Sequence, residues 1–220
     1  MARRLSTWFY PVGATIVAWL VWLLGGARIE GLERVPRTGA FVLAANHASL
    51  ADPLVLGWAA GQKAGRVVHF MAKVEVRSWP IIGWLASQSG VFFVRRGERD
   101  RSAQIQALEL LQAGEAVAMF PEGTRSRDGR LRPGRPGAAF LALRSGVPVV
   151  PVGIAGTHRL FARGRMPRRS RMTIRIGAPF TIGHQPEGRL DRELLSRGTD
   201  RITDEIAALL PPEQGGSLAQ

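Results

Sequence analysis

The sequence predicts an α/β fold: a mixed, largely parallel central sheet flanked by helices, with an N-terminal membrane-associating helical segment. Three observations predict it. Short apolar runs such as AFVLAAN (40–46), AVAMF (116–120) and VPVVPVGI (147–154) read as strands buried on both faces. Segments with helical periodicity alternate with those runs, which is the order that builds a sheet with helices on both sides. Ahead of them lies a 23-residue stretch without a charge, 5–27, preceded by Arg3 and Arg4.

The elements follow in order. Residues 27–39, ARIEGLERVPRTG, read as a short strand and a turn. AFVLAAN is the first buried strand. DPLVLGWAAG (52–61) reads as a helix, with Pro53 at its first position, where an N–H has no helical partner to lose, and Gly61 at its end. VVHFMA (67–72) is a second buried strand, and WPIIGWLASQSG (79–90) a helix or an exposed apolar hairpin. VFFV (91–94) is a third strand. Residues 100–114 place Ile105, Leu108 and Leu111 at helical spacing. AVAMF is the fourth strand, GAAFLALRSG (137–146) a helix, and VPVVPVGI the fifth strand, in which Pro148 and Pro151 point to irregular pairing. MTIRIG (172–177) alternates as a half-exposed edge strand does, and residues 190–210 form a closing helix stopped by Pro211 and Pro212. In such a sheet, ligands gather beyond the carboxyl ends of the strands. Those places follow Ala45, Val94 and Phe120.

Composition narrows the chemistry. A chain of 220 residues fits one domain with a sizeable core. It has no cysteine, which excludes a disulfide framework, thiolate catalysis and cysteine-based metal sites, and fits a reducing compartment. The net charge is +13, carried by 28 Arg and two Lys. It is uneven: residues 129–182 hold 11 arginines and no acidic residue. Such a field draws phosphates, whether of nucleic acid, an anionic lipid surface or a phosphorylated small molecule. The N-terminal stretch favours lipid. As one helix it extends roughly 34 Å, about one hydrocarbon core. TIVAWLVWLL is apolar on every face, so it wants lipid or a deep groove. Pro11 and Gly13 interrupt its first part, and the small residues Gly25, Gly26 and Ala27 also suit a cleaved leader.

Three stretches carry chemistry. NHASLAD (46–52) places a histidine at the mouth of a buried strand and an aspartate five residues on. A neutral imidazole accepts a proton near neutral pH when one nitrogen faces the substrate and a carboxylate holds the other. His47 and Asp52 suit those roles if the intervening residues turn tightly. The competing reading is local: SLAD is also a capping box, and Asp-Pro opens helices. Ser49 has no glycine elbow around it. FPEGTRSRDG (120–129) ends a strand in a turn able to aim N–H groups at an anion, with Arg125 as a planar fork for phosphate. Glu122 there is costly near the sheet unless paired. GVFFVRR (90–96) ends a strand in Arg95 and Arg96, which alternation sends to opposite faces. His69 reads as a core histidine, His158 and His184 lack metal-ligand spacing, and no glycine-rich nucleotide loop is present. The basic run 159–171 reads as a solvated face or as a contact for anionic headgroups.

In their order and spacing, these stretches resemble the glycerolipid acyltransferases, specifically bacterial 1-acylglycerol-3-phosphate acyltransferases, over roughly residues 28–180. NHASLAD is similar to the family's His-x4-Asp block, which implies His47 as general base and Asp52 as its orienting partner. GVFFVRR matches the second block and implies Arg96 in binding the acceptor phosphate. FPEGTRS matches the third and implies Glu122, Gly123, Thr124 and Arg125 in acceptor recognition. VPVVPV matches the fourth. FMAKVEV followed by PIIGWL looks like the stretch between the first two blocks, with Lys73 as a substrate-binding residue. Two positions depart from the family pattern. Arg95 stands where an acidic residue or Asn is common, and Gly134 and Arg135 stand where Phe-Lys-x-Gly is usual. Both changes keep or add positive charge.

The resemblance implies transfer of an acyl group from acyl-CoA or acyl-carrier protein to the sn-2 hydroxyl of a lysophospholipid, giving phosphatidic acid, with no metal or other cofactor. It also implies a domain plan: a membrane anchor at 1–27, the acyltransferase domain at 28–210 and a flexible tail at 211–220. The expected partners are the acceptor lipid, the thioester donor and an anionic membrane surface, with no nucleic acid. The expected location is the cytoplasmic face of the inner or plasma membrane, where the thioester donor is found. Three other readings stay open: acyl transfer to a lyso-ornithine lipid or glycolipid, a hydrolase using the same pair with water, and a non-enzymatic module binding anionic lipid or nucleic acid.

Overall fold

The computed structural model describes residues 9–78, 83, 91–94, 101–126, 128–160 and 168–215. Among them the strands are β1 (Ala27–Glu30), β2 (Phe41–Ala45), β3 (Val68–Lys73), β4 (Phe92–Val94), β5 (Ala116–Met119), β6 (Val149–Ala155) and β7 (Met172–Ile176). The helices are α1 (Phe9–Leu23), α2 (Asp52–Trp58), α3 (Arg101–Gln112), α4 (Gly137–Ser145), α5 (Arg192–Ala208) and the short α6 (Pro212–Gly215). The strands form one sheet in the order β1-β7-β6-β2-β5-β3-β4. The five strands β6, β2, β5, β3 and β4 run parallel. β7 runs antiparallel to β6, and β1 runs parallel to β7.

β2 lies at the centre because every one of its residues is buried. Strand alternation splits it between two cores. Phe41, Leu43 and Ala45 face a cluster that includes Val55 and Leu56 of α2, with Val17, Val21 and Leu24 of the N-terminal segment against it. Val42 and Ala44 face the opposite cluster, built with Leu111 of α3, Leu141 of α4 and Ile202 and Ile206 of α5. The sheet is therefore covered on both sides, as parallel strands require.

Several elements differ from expectation. β7 does alternate, with Met172, Ile174 and Ile176 buried, but it is not an edge strand; β1 pairs along its outer side. The irregularity expected from Pro151 falls at a ladder end, where the β6–β7 pairing begins only at Val152. After α2 the chain continues through a π-helical turn, Ala59–Lys63, and leaves it at Gly65 with φ of 71° rather than at Gly61. The segment 79–90 lies outside the described residues, apart from Gly83.

The described part of α1 ends at Leu23, before the uncharged stretch does. Gly25 and Gly26 adopt φ of 120° and 79° and turn the chain into β1. A Cβ on Gly25 would lie 2.6 Å from the Ser170 carbonyl oxygen, so no other residue fits there. The 15 described residues of α1 span about 22 Å. Among the described residues no helix is long and apolar enough to cross a membrane. The outward side of α1 is nonetheless apolar: Trp19 and Trp22 are 60% and 65% exposed, and Ile16, Leu20 and Leu23 stand beside them. Leu50 and Leu54 add exposed apolar surface at the start of α2, which packs against α1.

Residues 211–215 pack against the domain. Gln214 and Gly215 are buried, the Gln214 carbonyl accepts the Leu131 N–H at 2.8 Å, and Gln214 Nε2 donates to the Gly129 carbonyl at 2.9 Å. Gly129 has φ of 79°, and a Cβ there would meet the His158 ring at 2.7 Å. Burial, and after it the Arg159 charge, lowers the His158 pKa, which suits a packed neutral ring.

Candidate active site

The parallel strands carry β2, β5 and β6 to the same sheet edge, where the chain emerges from each. Past Ala45 the Asn46 side chain takes over the ladder. Its Nδ2 donates to the Ile154 carbonyl at 2.9 Å and its Oδ1 accepts the Ile154 N–H at 2.7 Å. The amide acts as a peptide group would, which frees the main chain to leave the sheet one residue early and place His47 over the edge.

His47 meets Asp52. The imidazole Nδ1 lies 2.9 Å from Asp52 Oδ2, and the same oxygen accepts the Ala48 and Ser49 N–H groups at 2.7 Å each. Asp52 is fully buried, while 18% of the His47 side chain is exposed. A carboxylate held by two amides accepts from Nδ1–H and leaves Nε2 as the basic nitrogen. Of the capping box only half forms. Asp52 reaches back to the Ser49 N–H, but Ser49 Oγ accepts from Ala51, which is the N-cap of α2, and the oxygen that reaches back also orients the ring.

The third motif surrounds the same residue. The Phe120 ring stacks on the imidazole with centroids 4.2 Å apart and 20° between planes. Glu122 Oε1 accepts the His47 N–H at 2.7 Å, and the Ser126 N–H donates to the His47 carbonyl at 2.7 Å. Glu122 is 3% exposed, and its Oε2 has no hydrogen-bond partner among the described residues. Burial pushes its carboxyl from 4.5 up to about 7. The His47 N–H and the nearby Arg132, by its backbone and its charge, oppose that rise without forming a bond to Oε2, and the Asp52 charge adds to it. Gly123 closes the turn with φ of 66°, its N–H donating to the Phe120 carbonyl at 3.0 Å. Thr124 and Arg125 are exposed at the rim. Arg135 lies over Gly123, where a Cβ would meet its Cδ at 2.9 Å.

The structure therefore gathers His47, Asp52, Glu122, Gly123, Thr124 and Arg125 at one edge. Lys73 is the last residue of β3, whose carboxyl end lies at that edge; its side chain is outside the described residues. Arg96 follows the end of β4 by two positions and also lies outside them. Sequence reasoning missed the roles of Asn46, Phe120, Ser126 and Arg135. Asn46 carried a visible sign, a polar residue directly after five apolar ones in a buried strand. Arg135 was visible only as a departure in charge, and its neighbour Gly134 is explained by close approach to Thr203 of α5.

Comparisons with known proteins identify the family. A family model described as Acyltransferase matches residues 26–155. A chloroplastic 1-acyl-sn-glycerol-3-phosphate acyltransferase of Brassica napus is 36% identical over 163 residues, 72% of this chain and 44% of that protein. A lyso-ornithine lipid O-acyltransferase of Pseudomonas aeruginosa is 40% identical over 112 residues, 50% of this chain and 41% of that protein. The chain thus spans less than half the length of these two relatives. The crystal structure of the 1-acyl-sn-glycerophosphate acyltransferase of Thermotoga maritima is similar with a TM-score of 0.68 and 32% identity, covering 88% of this chain and 74% of that one.

Proposed function

The chain belongs to the 1-acylglycerol-3-phosphate acyltransferase family of glycerolipid acyltransferases, and on that premise we propose that it acylates the sn-2 hydroxyl of 1-acylglycerol-3-phosphate. The observation that supports this most is the His47 Nδ1–Asp52 Oδ2 contact of 2.9 Å at the carboxyl edge of the sheet. Nε2 of His47 takes the proton of the acceptor hydroxyl as its oxygen attacks the thioester carbonyl of acyl-CoA or acyl-carrier protein. The tetrahedral intermediate collapses, the carbon–sulfur bond breaks, and the thiolate leaves with the proton that His47 returns. The thioester is the only co-substrate this sequence of steps requires. Arg125, with Arg135 beside Gly123, binds the acceptor phosphate as planar forks, and the family resemblance adds Lys73 and Arg96 to the residues that bind substrate.

The protein works on a membrane surface. The exposed face of α1, with Leu50 and Leu54, enters the lipid, and the arginine-rich surface meets anionic headgroups. A thioester made in the cytosol places the site on the cytoplasmic face of the inner or plasma membrane. A second acceptor, a lyso-ornithine lipid, follows from the Pseudomonas relative; that lipid carries no phosphate and leaves the basic rim without its natural ligand.

Purified protein with oleoyl-CoA and a panel of lysophosphatidate, lyso-ornithine lipid and no acceptor tests the reading. Phosphatidate formation is expected. Preference for the lyso-ornithine lipid moves the acceptor, and fatty acid release without acceptor makes the protein a hydrolase. His47→Ala is expected to lower kcat by about 10²- to 10⁴-fold, and near-normal turnover removes the base. Arg125→Ala is expected to raise the acceptor KM more than the donor KM.

A further inference from the structure

We propose that Glu122 is a positioning residue, which holds the main chain of His47 in place, and not a ligand of the acceptor. The inference rests on the reading of His47 as the base. One short loop after β5 grips both polar groups of residue 47: Glu122 Oε1 takes its N–H and the Ser126 N–H takes its carbonyl, each at 2.7 Å. The Phe120 ring, from the same loop, lies flat against the imidazole. Asp52 fixes the ring's torsion and tautomer, and this loop fixes where the ring is rooted.

The alternative role fits poorly. The Glu122 side chain is buried, so an acceptor at the rim meets Thr124 and Arg125 before it. A carboxylate also repels the phosphate it is supposed to bind. Its neighbours explain how such a group is tolerated. Asp52, from the first turn of α2, disfavours its charge, and Arg132, from the loop leading to α4, favours it. Burial outweighs both and raises the carboxyl to about 7. Either form keeps an oxygen for the His47 N–H. The protonated form also removes an unpaired buried charge from Oε2.

The two roles separate kinetically. Loss of the grip displaces the base, and a misplacement of about 1 Å costs about 100-fold. Glu122→Ala is therefore expected to lower kcat by about 100-fold with the acceptor KM within about threefold of the parent. Glu122→Gln retains a carbonyl oxygen for the N–H and is expected to recover at least about tenfold of that loss. A raised acceptor KM at unchanged kcat, in either variant, overturns the proposal. A second measurement needs no turnover, so it stands even if the reaction has been misread. In ¹⁵N-labelled His47→Gln protein, which lacks the ring but keeps the amide, the residue 47 N–H is expected to exchange with solvent at least about tenfold more slowly than in the His47→Gln, Glu122→Ala double variant. Equal exchange rates in the two proteins also overturn the proposal.

Discussion

At the scale of single residues, Glu122 ties stability to pH. Its folded pKa, raised to about 7, exceeds the 4.5 of the unfolded chain. Between those values the folded state holds the extra proton, so stability falls as pH rises. The contribution is complete below 4.5 and lost by about 7, and is on the order of 3 kcal/mol at most. Denaturant melts from pH 4.5 to 7.5 are expected to show the parent losing stability relative to Glu122→Gln as pH increases; parallel curves contradict the assignment. Asp52→Asn is expected to lower kcat by about 10²-fold or more, because an amide reverses or weakens the ring's orientation while disturbing two backbone bonds. The His47–Asp52 pair was legible because its contact is local: the turn that leads into α2 brings residues 47 and 52 together. The Glu122 contact was not. It spans 75 residues, and only the β2–β5 register sets the two loops side by side. Sequence alone assigned that carboxylate by resemblance to substrate recognition, because a side chain's partner across a sheet is invisible to local pattern.

At the scale of elements, the closing segment behaves as part of the domain. Truncation after Leu210 removes the acceptor of the Leu131 N–H and the donor to the Gly129 carbonyl. Each unmet buried group costs about 1–3 kcal/mol, so a clear fall in melting temperature is expected by calorimetry, with an unchanged value marking these bonds as incidental. In the sequence Pro211 and Pro212 announce a break, and nothing local reveals a glutamine that bonds a loop some 85 residues away. β7 was misplaced for a related reason. Alternating burial in MTIRIG is what a strand gives when one face meets the core, and periodicity does not say whether a neighbour such as β1 lies along its side. Buried strands and amphipathic helices were legible, since apolar runs and helical spacing are properties of the segment itself.

At the scale of the whole molecule, charge and apolar surface predict how the protein meets lipid. Binding to vesicles containing anionic lipid is expected to weaken as salt rises, because headgroup attraction is screened within a Debye length of about 10 Å at 0.1 M. Trp19→Ser with Trp22→Ser is expected to reduce vesicle binding at every salt concentration and to leave the melting temperature nearly unchanged, since both rings are largely exposed. Cosedimentation distinguishes the two effects; undiminished binding of the double variant moves the docking surface elsewhere. The sheet order belongs to this scale too. That β6 and β5 flank β2 follows from which runs bury most completely, but the reversal at β7 depends on long-range pairing that no window of sequence contains.

The two-glycine corner between α1 and β1 has a mechanical meaning. Gly26 donates to the Val21 carbonyl, Ser170 to Leu24 and Met172 to Gly26, so the first helix is bolted to the sheet with no slack between them. On the proposed reading, in which the outer face of α1 enters lipid, the height of the imidazole above the bilayer is a dimension of the fold, not the reach of a tether. Lipids on that reading rise or tilt to a fixed level to react, and a few flexible residues inserted after Gly26 turn a gauge of depth into a swinging arm.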